Sequence, residues 1–253
     1  MLSLFDDTLH SKRGRMDYDI HAVYVDFSAI DHSHLSIDAL QRTYSIPITV
    51  IKAETVSFAA NSKERLIALY NGMKSIDSKV DLKELILDQI LTAHAKSLAS
   101  DVYLLYGKTM DHFTMQVMHE MVNKDGIAVP STCDYSQLFQ IPGSLVRVGS
   151  ALGELTSREM ALYCYYKQIE YRVFPSPLLL PGGSVYRLVL NMVAALQDDC
   201  DSTLHIVTET IGKLKKTEGA HNCRLCGRSC VEELCGRCSF LKREDGSSLL
   251  ALP

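Results

Sequence analysis

DVYLLYGKTMDHFTMQVMHEMVN, residues 101–123, carries the clearest architectural signal in the chain. Its opening residues are mostly the aromatic and branched aliphatic types that fit a pleated, half-buried strand. Gly107 ends that run, and from Asp111 to Asn123 the apolar positions recur with helical spacing. Strand, glycine turn and helix in that order is the repeating unit of an α/β protein. The flanks repeat it. In HAVYVDF (21–27), Val23, Val25 and Phe27 alternate with Tyr24 and Asp26, predicting a strand, and Ser33 to Tyr44 follows with Leu35, Ala39 and Leu40 on one helical side. IPITVIKAE (46–54) predicts a second strand, and Lys63 to Met73 a helix. Asp81 to Ser100 reads as a longer helix, with Leu82, Leu85, Ile86, Ile90, Ala93 and Leu98 as its apolar stripe and Asp81 with Glu84 as its cap.

Further out, Ala128 to Pro142 holds two prolines and no period, which predicts a loop. Leu145 to Val148 reads as a short strand, and Thr156 to Tyr171 as a helix opened by a capping box of Thr156 and Glu159. SLFDDTLHSK (3–12) reads as a short helix, and Ser184 to Leu196 and Ser202 to Leu214 as two more. The expected fold class is α/β, a mostly parallel sheet with helices on both faces and right-handed crossovers. Ligands of such sheets sit beyond the carboxyl ends of the strands, here Asp26 to Ser28, Glu54 and Gly107 to Asp111.

The chain of 253 residues has room for one α/β unit of about 200 residues and a small appendage. We expect 1–215 as the α/β unit, 216–243 as a Cys-rich knuckle and 244–253 as a flexible tail. No run of 18 apolar residues is present, and MLSLFDDTLHSKRGR lacks the charge order of a signal peptide, so no membrane association and a cytoplasmic location are expected. A net charge of -4 argues against a protein that coats nucleic acid over its whole surface.

The appendage is CRLCGRSCVEELCGRC, residues 223–238. Two Cys-x-x-Cys pairs, Cys223 with Cys226 and Cys235 with Cys238, supply four thiolates for one tetrahedral zinc ion. Such a site has no open coordination position and is structural in character. Cys230 and His221 stand close enough in sequence to replace a ligand or remain free. Paired disulfides, unligated thiols and an iron–sulfur cluster are the alternatives, and a reducing compartment argues against the first. From Gly212 to Arg243 there are eight Lys or Arg (Lys213, Lys215, Lys216, Arg224, Arg228, Arg237, Lys242, Arg243) against three Glu. The excess of +5, about +3 with four thiolates and one Zn²⁺ counted, suits phosphate contact as well as an ordinary solvated surface.

Elsewhere the chemistry is thinner. PGGS (181–184) precedes a helix as a phosphate-binding loop would, but a turn with Ser184 as helix N-cap explains it better. Asp26 after a strand reads as a turn cap before it reads as a ribose or metal ligand. His32, His34, His94, His112 and His119 show no metal-like pairing, and Cys133, Cys164 and Cys200 read as isolated buried thiols.

Taken in order, VYVDFSA (23–29), VYLLYGKTMDHFTMQVM (102–118), LGELTSREMALYCYY (152–166), LQDDCDSTLHIVTETIGKL (196–214) and the knuckle resemble the cytoplasmic tRNA 2-thiolation protein 2 family. The resemblance spans roughly residues 1–240, and the order of loose motifs carries it. It implies an adenine-nucleotide α-hydrolase-like sheet and a role in 2-thiolation of the wobble uridine of tRNA. It also implies tRNA and a catalytic tRNA 2-thiolation protein 1 paralogue as partners, with a ubiquitin-like carrier supplying sulfur indirectly. The chain departs from catalytic relatives, which open with a strand and an S-G-G-x-D-S loop. Here Met1 falls in what would be the following helix, so the sequence is short of that unit and the sheet is expected to be short by a strand. Where those relatives read about G-H-N-x-D-D, this chain has Gly107, Lys108, Thr109, Met110, Asp111 and His112, and it has no mid-chain Cys-x-x-Cys.

The expectation is therefore a non-catalytic subunit that does not bind ATP by itself. Cys223, Cys226, Cys235 and Cys238 are its zinc ligands, and Lys213, Lys215, Lys216, Arg224, Arg228 and Arg237 its candidate RNA contacts. An active ATP-dependent sulfurtransferase using Asp26 and Gly107 to Asp111, and a zinc-knuckle adaptor for proteins, are the alternatives.

Overall fold

The structure is a computed structural model describing residues 1–9, 19–30, 37–56, 62–98, 101–123, 139–140, 145–169, 183–200, 202–213, 221–226, 229–230 and 232–244. Strands and helices alternate through most of it: α1 (Leu2–Leu9), β1 (Ala22–Asp26), α2 (Ile37–Thr43), β2 (Ile48–Lys52), α3 (Lys63–Gly72), α4 (Ile76–Ser97), β3 (Val102–Tyr106), α5 (Met110–Asn123), β4 (Phe139–Gln140), β5 (Val146–Ser150) and α6 (Ser157–Tyr166). Two helices follow, α7 (Val185–Asp199) and α8 (Thr203–Gly212), and then the short strands β6 (His221–Asn222) and β7 (Ser229–Cys230) and the helix α9 (Gly236–Glu244).

The α/β class holds, but among the described residues the strands form separate hydrogen-bonded sheets rather than one. β1 and β2 pair in parallel from Ala22 opposite Ile48 to Asp26 opposite Lys52. β3 and β5 pair in parallel from Val102 opposite Val146 to Tyr106 opposite Ser150, and β4 adds to β5 antiparallel. β4 lies in the stretch expected to be a loop; it is two residues long, too short to leave a period-2 signature. No described helix is long and apolar enough to cross a membrane.

Helix α4 joins these parts. It starts five residues before the expected Asp81, because the Ser75 hydroxyl accepts from the Ser78 backbone and caps the first turn. Leu82, Leu85 and Ile86 are fully buried, each burial stabilising by roughly 1.5–3 kcal/mol. Ile90, Leu91 and Ala95 continue that face, whereas Ala93 and Leu98, expected in the stripe, are exposed. Val25 of β1, Tyr106 of β3, Val146 and Val148 of β5 and Leu66 and Leu69 of α3 complete one core. Cys223, Leu225, Cys230, Cys235, Cys238 and Leu241 belong to that same core, so the Cys-rich segment packs against the α/β unit. A second cluster, Met110, Val189, Val193 and Leu204, ties α5 to α7 and α8.

Helix α6 opens with the expected capping box: Thr156 Oγ1 accepts from Glu159 N at 3.2 Å, and the Glu159 carboxylate accepts from Thr156 N at 2.7 Å. These bonds hold the Glu159 carboxyl below its ordinary pKa. The helix ends at Tyr166, five residues before expectation. Gln168 takes a left-handed backbone, φ 54, while its N–H bonds Tyr165 O and the Ile169 N–H bonds Cys164 O at 2.9 Å, closing a Schellman turn. Replacing Thr156 with Ala should lower stability by about 1 kcal/mol, read as a shift of the urea midpoint at unchanged slope.

Candidate metal centre and the strand ends

The Cys-rich segment is two turns held face to face. The first, 224–226, follows β6, which pairs antiparallel with β7, His221 opposite Cys230 and Asn222 opposite Ser229. The second turn runs into α9, so that Cys235 precedes the helix and Cys238 lies in its first turn. Arg224 N donates to Glu233 O at 3.2 Å and Ser239 N to Cys235 O at 2.9 Å, fixing the turns to each other and to the helix.

The Sγ atoms of Cys223, Cys226, Cys235 and Cys238 all lie within 4.8 Å of one another, and Cys226 and Cys235 approach to 3.5 Å. A tetrahedron of thiolates at about 2.3 Å from one ion has edges of about 3.8 Å, so the donor set and its size fit a single tetrahedral ion. Cubane clusters set each cysteine on a different iron and spread the sulfurs further apart. All described cysteines are unbridged. The four sulfurs are also electrostatically coupled. Hydrogen bonds from Cys226, Cys235 and Cys238 drive the Cys223 thiol far below its ordinary pKa, and those Cys238 makes to Cys223, Cys226 and Cys235 drive Cys238 far above it. Four thiols this close do not ionise together without a positive charge among them.

Cys230, the fifth sulfur, is buried outside the quartet and donates to Glu232 O at 2.9 Å. His221 contributes its backbone to β6; its side chain lies outside the described residues.

The basic residues divide. Lys213 is exposed after α8, and Arg224 is exposed beside the Glu233 carboxylate, with which it forms an ion pair. Lys242 and Arg243 are exposed in the last turn of α9. Lys215, Lys216 and Arg228 lie outside the described residues. Arg237 corrects the expectation of a phosphate contact. It is 3 % exposed, and its guanidinium meets Asp88 of α4 at 3.4 Å, because the first turn of α9 directs it inward with Cys238.

At the carboxyl ends of the strands, Asp26, Lys108 and Asp111, expected to face a ligand, instead meet other parts of the chain. Asp26 accepts from Ser28 N at 2.9 Å and from Ser28 Oγ at 3.0 Å, a local turn cap. Lys108 is buried and donates to Glu84 of α4 at 2.5 Å and to Gln116 of α5 at 3.3 Å. Asp111 accepts from Ser157 N at the start of α6. Of PGGS, Gly183 and Ser184 are described, and Ser184 meets Asp77. Ser184 is the N-cap of α7, and the Asp77 carboxylate accepts from Ser184 Oγ at 2.6 Å, Val185 N at 2.9 Å and Tyr186 N at 3.3 Å. The position a phosphate would take at that helix N-terminus is filled by a carboxylate of the chain itself. His119 is buried and stacked on Tyr186 at 3.6 Å, while His112 is exposed. Cys164 is half-buried and Cys200 exposed, so neither is the fully buried thiol expected; Cys133 lies outside the described residues.

What sequence reading missed is the row that receives these contacts. Asp77, Asp81, Glu84 and Asp88 are spaced 4, 3 and 4 apart on one face of α4, and that face is turned into the protein. The spacing was in the sequence, but a charged row ordinarily marks the solvent side.

No protein-family model matches the chain, and no curated protein matches it. Among solved structures it is similar to the U34-tRNA thiolase NcsA from Methanococcus maripaludis with its [4Fe-4S] cluster. The identity is 16 % and the TM-score 0.58, over 89 % of this chain and 70 % of that one. At that identity the likeness is one of α/β fold alone.

Proposed function

We propose that the chain is a non-catalytic subunit of a tRNA-modifying complex that 2-thiolates the wobble uridine, working in the cytoplasm beside a catalytic paralogue. The observation that carries the reading is the thiolase-like fold combined with strand ends closed by the chain's own side chains. Lys108, at the position where catalytic relatives have a histidine, is spent on Glu84. Asp26 is spent on Ser28, and Asp77 fills the helix start that follows Gly183. A nucleotide bound at any of these positions would have to displace the contact made there.

In this reading Cys223, Cys226, Cys235 and Cys238 hold zinc, which supplies no chemistry beyond fixing the two turns. Lys213, Lys215, Lys216, Arg224 and Arg228 offer phosphate contacts, joined by Lys242 and Arg243 of α9. These act through charge, so they raise affinity without reading bases. The catalytic partner supplies the adenylating site, and sulfur reaches that site through the carrier.

The test is tRNA binding by the purified chain across a salt series, with nucleotide binding measured in parallel. Changing Lys213, Lys215, Lys216, Arg224 and Arg228 together to Gln should weaken binding and lower the salt slope by about 0.7–0.9 for each phosphate no longer neutralised. ATP should not bind the isolated chain. Unchanged tRNA binding removes the basic segment from the RNA role, and saturable ATP binding replaces the subunit reading with the sulfurtransferase one.

A further inference from the structure

The two turns that carry the thiolates are each docked on α4 through a residue between their cysteines. Leu225, inside the first pair, gives its carbonyl oxygen to the Gln89 amide. Arg237, inside the second, meets Asp88 at 3.4 Å. Gln89 and Asp88 are adjacent in the helix, so closing the four thiolates around an ion fixes both docking points at once.

Asp88 does not end there. Its other oxygen accepts from the Tyr106 hydroxyl at 3.1 Å, at the last residue of β3. One turn back along α4, Glu84 holds Lys108, two residues beyond that strand. The carboxyl end of β3 is therefore anchored to the same face of α4 on which the metal centre rests. Leu225, Cys235, Cys238 and Leu241 are buried in one core with Leu85, Tyr106 and Val146, so the polar link runs alongside continuous packing.

We infer that the metal centre is a positioning element of the α/β unit, with Arg237 as the residue that couples metal occupancy to α4 and to the carboxyl end of β3. A tail that merely folds around its own ion would leave the strands indifferent to the metal. Here loss of the ion frees both turns and withdraws the buried Arg237 guanidinium from Asp88, the carboxylate that also holds the Tyr106 hydroxyl. The inference concerns this chain's own structure and stands whether or not the chain binds tRNA.

Hydrogen exchange on the full-length chain tests it, with metal content measured by mass spectrometry before and after chelation. Chelation should raise exchange not only in 223–241 but also in 81–91 and 102–106, by about a hundredfold where the buried pair is lost. Arg237→Gln, with one ion still bound per chain, should raise exchange in 102–106; Arg224→Gln, on the exposed side of the same segment, should not. Exchange that rises only within 221–244 on chelation, or an Arg237→Gln pattern equal to that of Arg224→Gln, overturns the coupling. If Arg237→Gln does not fold, Asp88→Asn is read in the same way, and the chelation series on the unaltered chain decides independently.

Discussion

Serine in place of Cys238 should abolish metal binding and destabilise the whole chain. Cys238 is fully buried, and its sulfur is one of four that fit a single ion. A structural zinc site returns about 10–16 kcal/mol of apparent binding free energy to folding, and a site with three thiolates and a hydroxyl retains only part of it. Against the roughly 5–15 kcal/mol of net stability expected of a domain, that loss is decisive. Because Cys238 lies in one core with Leu82, Leu85 and Tyr106, the loss should register across α4 and β3. The measurement is metal stoichiometry with thermal unfolding followed by far-UV circular dichroism. The expected result is no bound metal and loss of the folded baseline at 37 °C. A Cys238→Ser chain that holds one ion and melts as before would refute the assignment of the quartet.

Lys108→Ala should cost about 3–5 kcal/mol at pH 7, because it strands a carboxylate beneath the strand ends. Lys108 and Glu84 have side chains 9 % and 19 % exposed. Burial alone would raise the Glu84 pKa, but the Lys108 charge and hydrogen bond outweigh it, and the net direction is downward. A carboxyl held lower in the folded state stabilises above its unfolded value, near about 4.3, and that stabilisation fades as the pH falls through the folded value. The unaltered chain should therefore lose this contribution only in acid. Without Lys108 the sign reverses: burial raises the Glu84 pKa, and stability falls as pH rises through the ordinary carboxylate range. Urea unfolding at pH 4 and pH 7 separates the cases. Lys108→Ala should be relatively less impaired at pH 4, and adding Glu84→Gln should restore most of the loss at pH 7. A cost under about 1 kcal/mol, equal at both pH values, would mean that the pair is solvated like a surface ion pair.

Some local signals in the sequence recur in the structure. The Val23 and Val25 alternation, the Gly107 break and the Thr156 and Glu159 box each depend on residues a few positions apart, and each appears as read. So does the quartet, since Cys-x-x-Cys spacing dictates turn geometry before any tertiary contact forms. Long-range partners were not legible. Nothing near Arg237 in sequence announces Asp88, 149 residues away, and a basic residue in a basic segment reads as surface. Asp81 and Glu84 have the spacing of a helix cap, but the cap is Ser75, and the first acids after it, Asp77 and Asp81, turn inward. The division of the strands into separate sheets depends on pairing, and pairing depends on register between distant segments.

The most direct test of the proposed role is the 2-thiouridine content of cytosolic tRNA after depletion of this chain from its own cells. The subunit reading predicts loss of wobble 2-thiouridine, restored by the unaltered chain and by Asp26→Asn, since Asp26 caps a turn and is assigned no chemistry. Normal thiolation after complete depletion would contradict it and leave the thiolase-like fold serving another function.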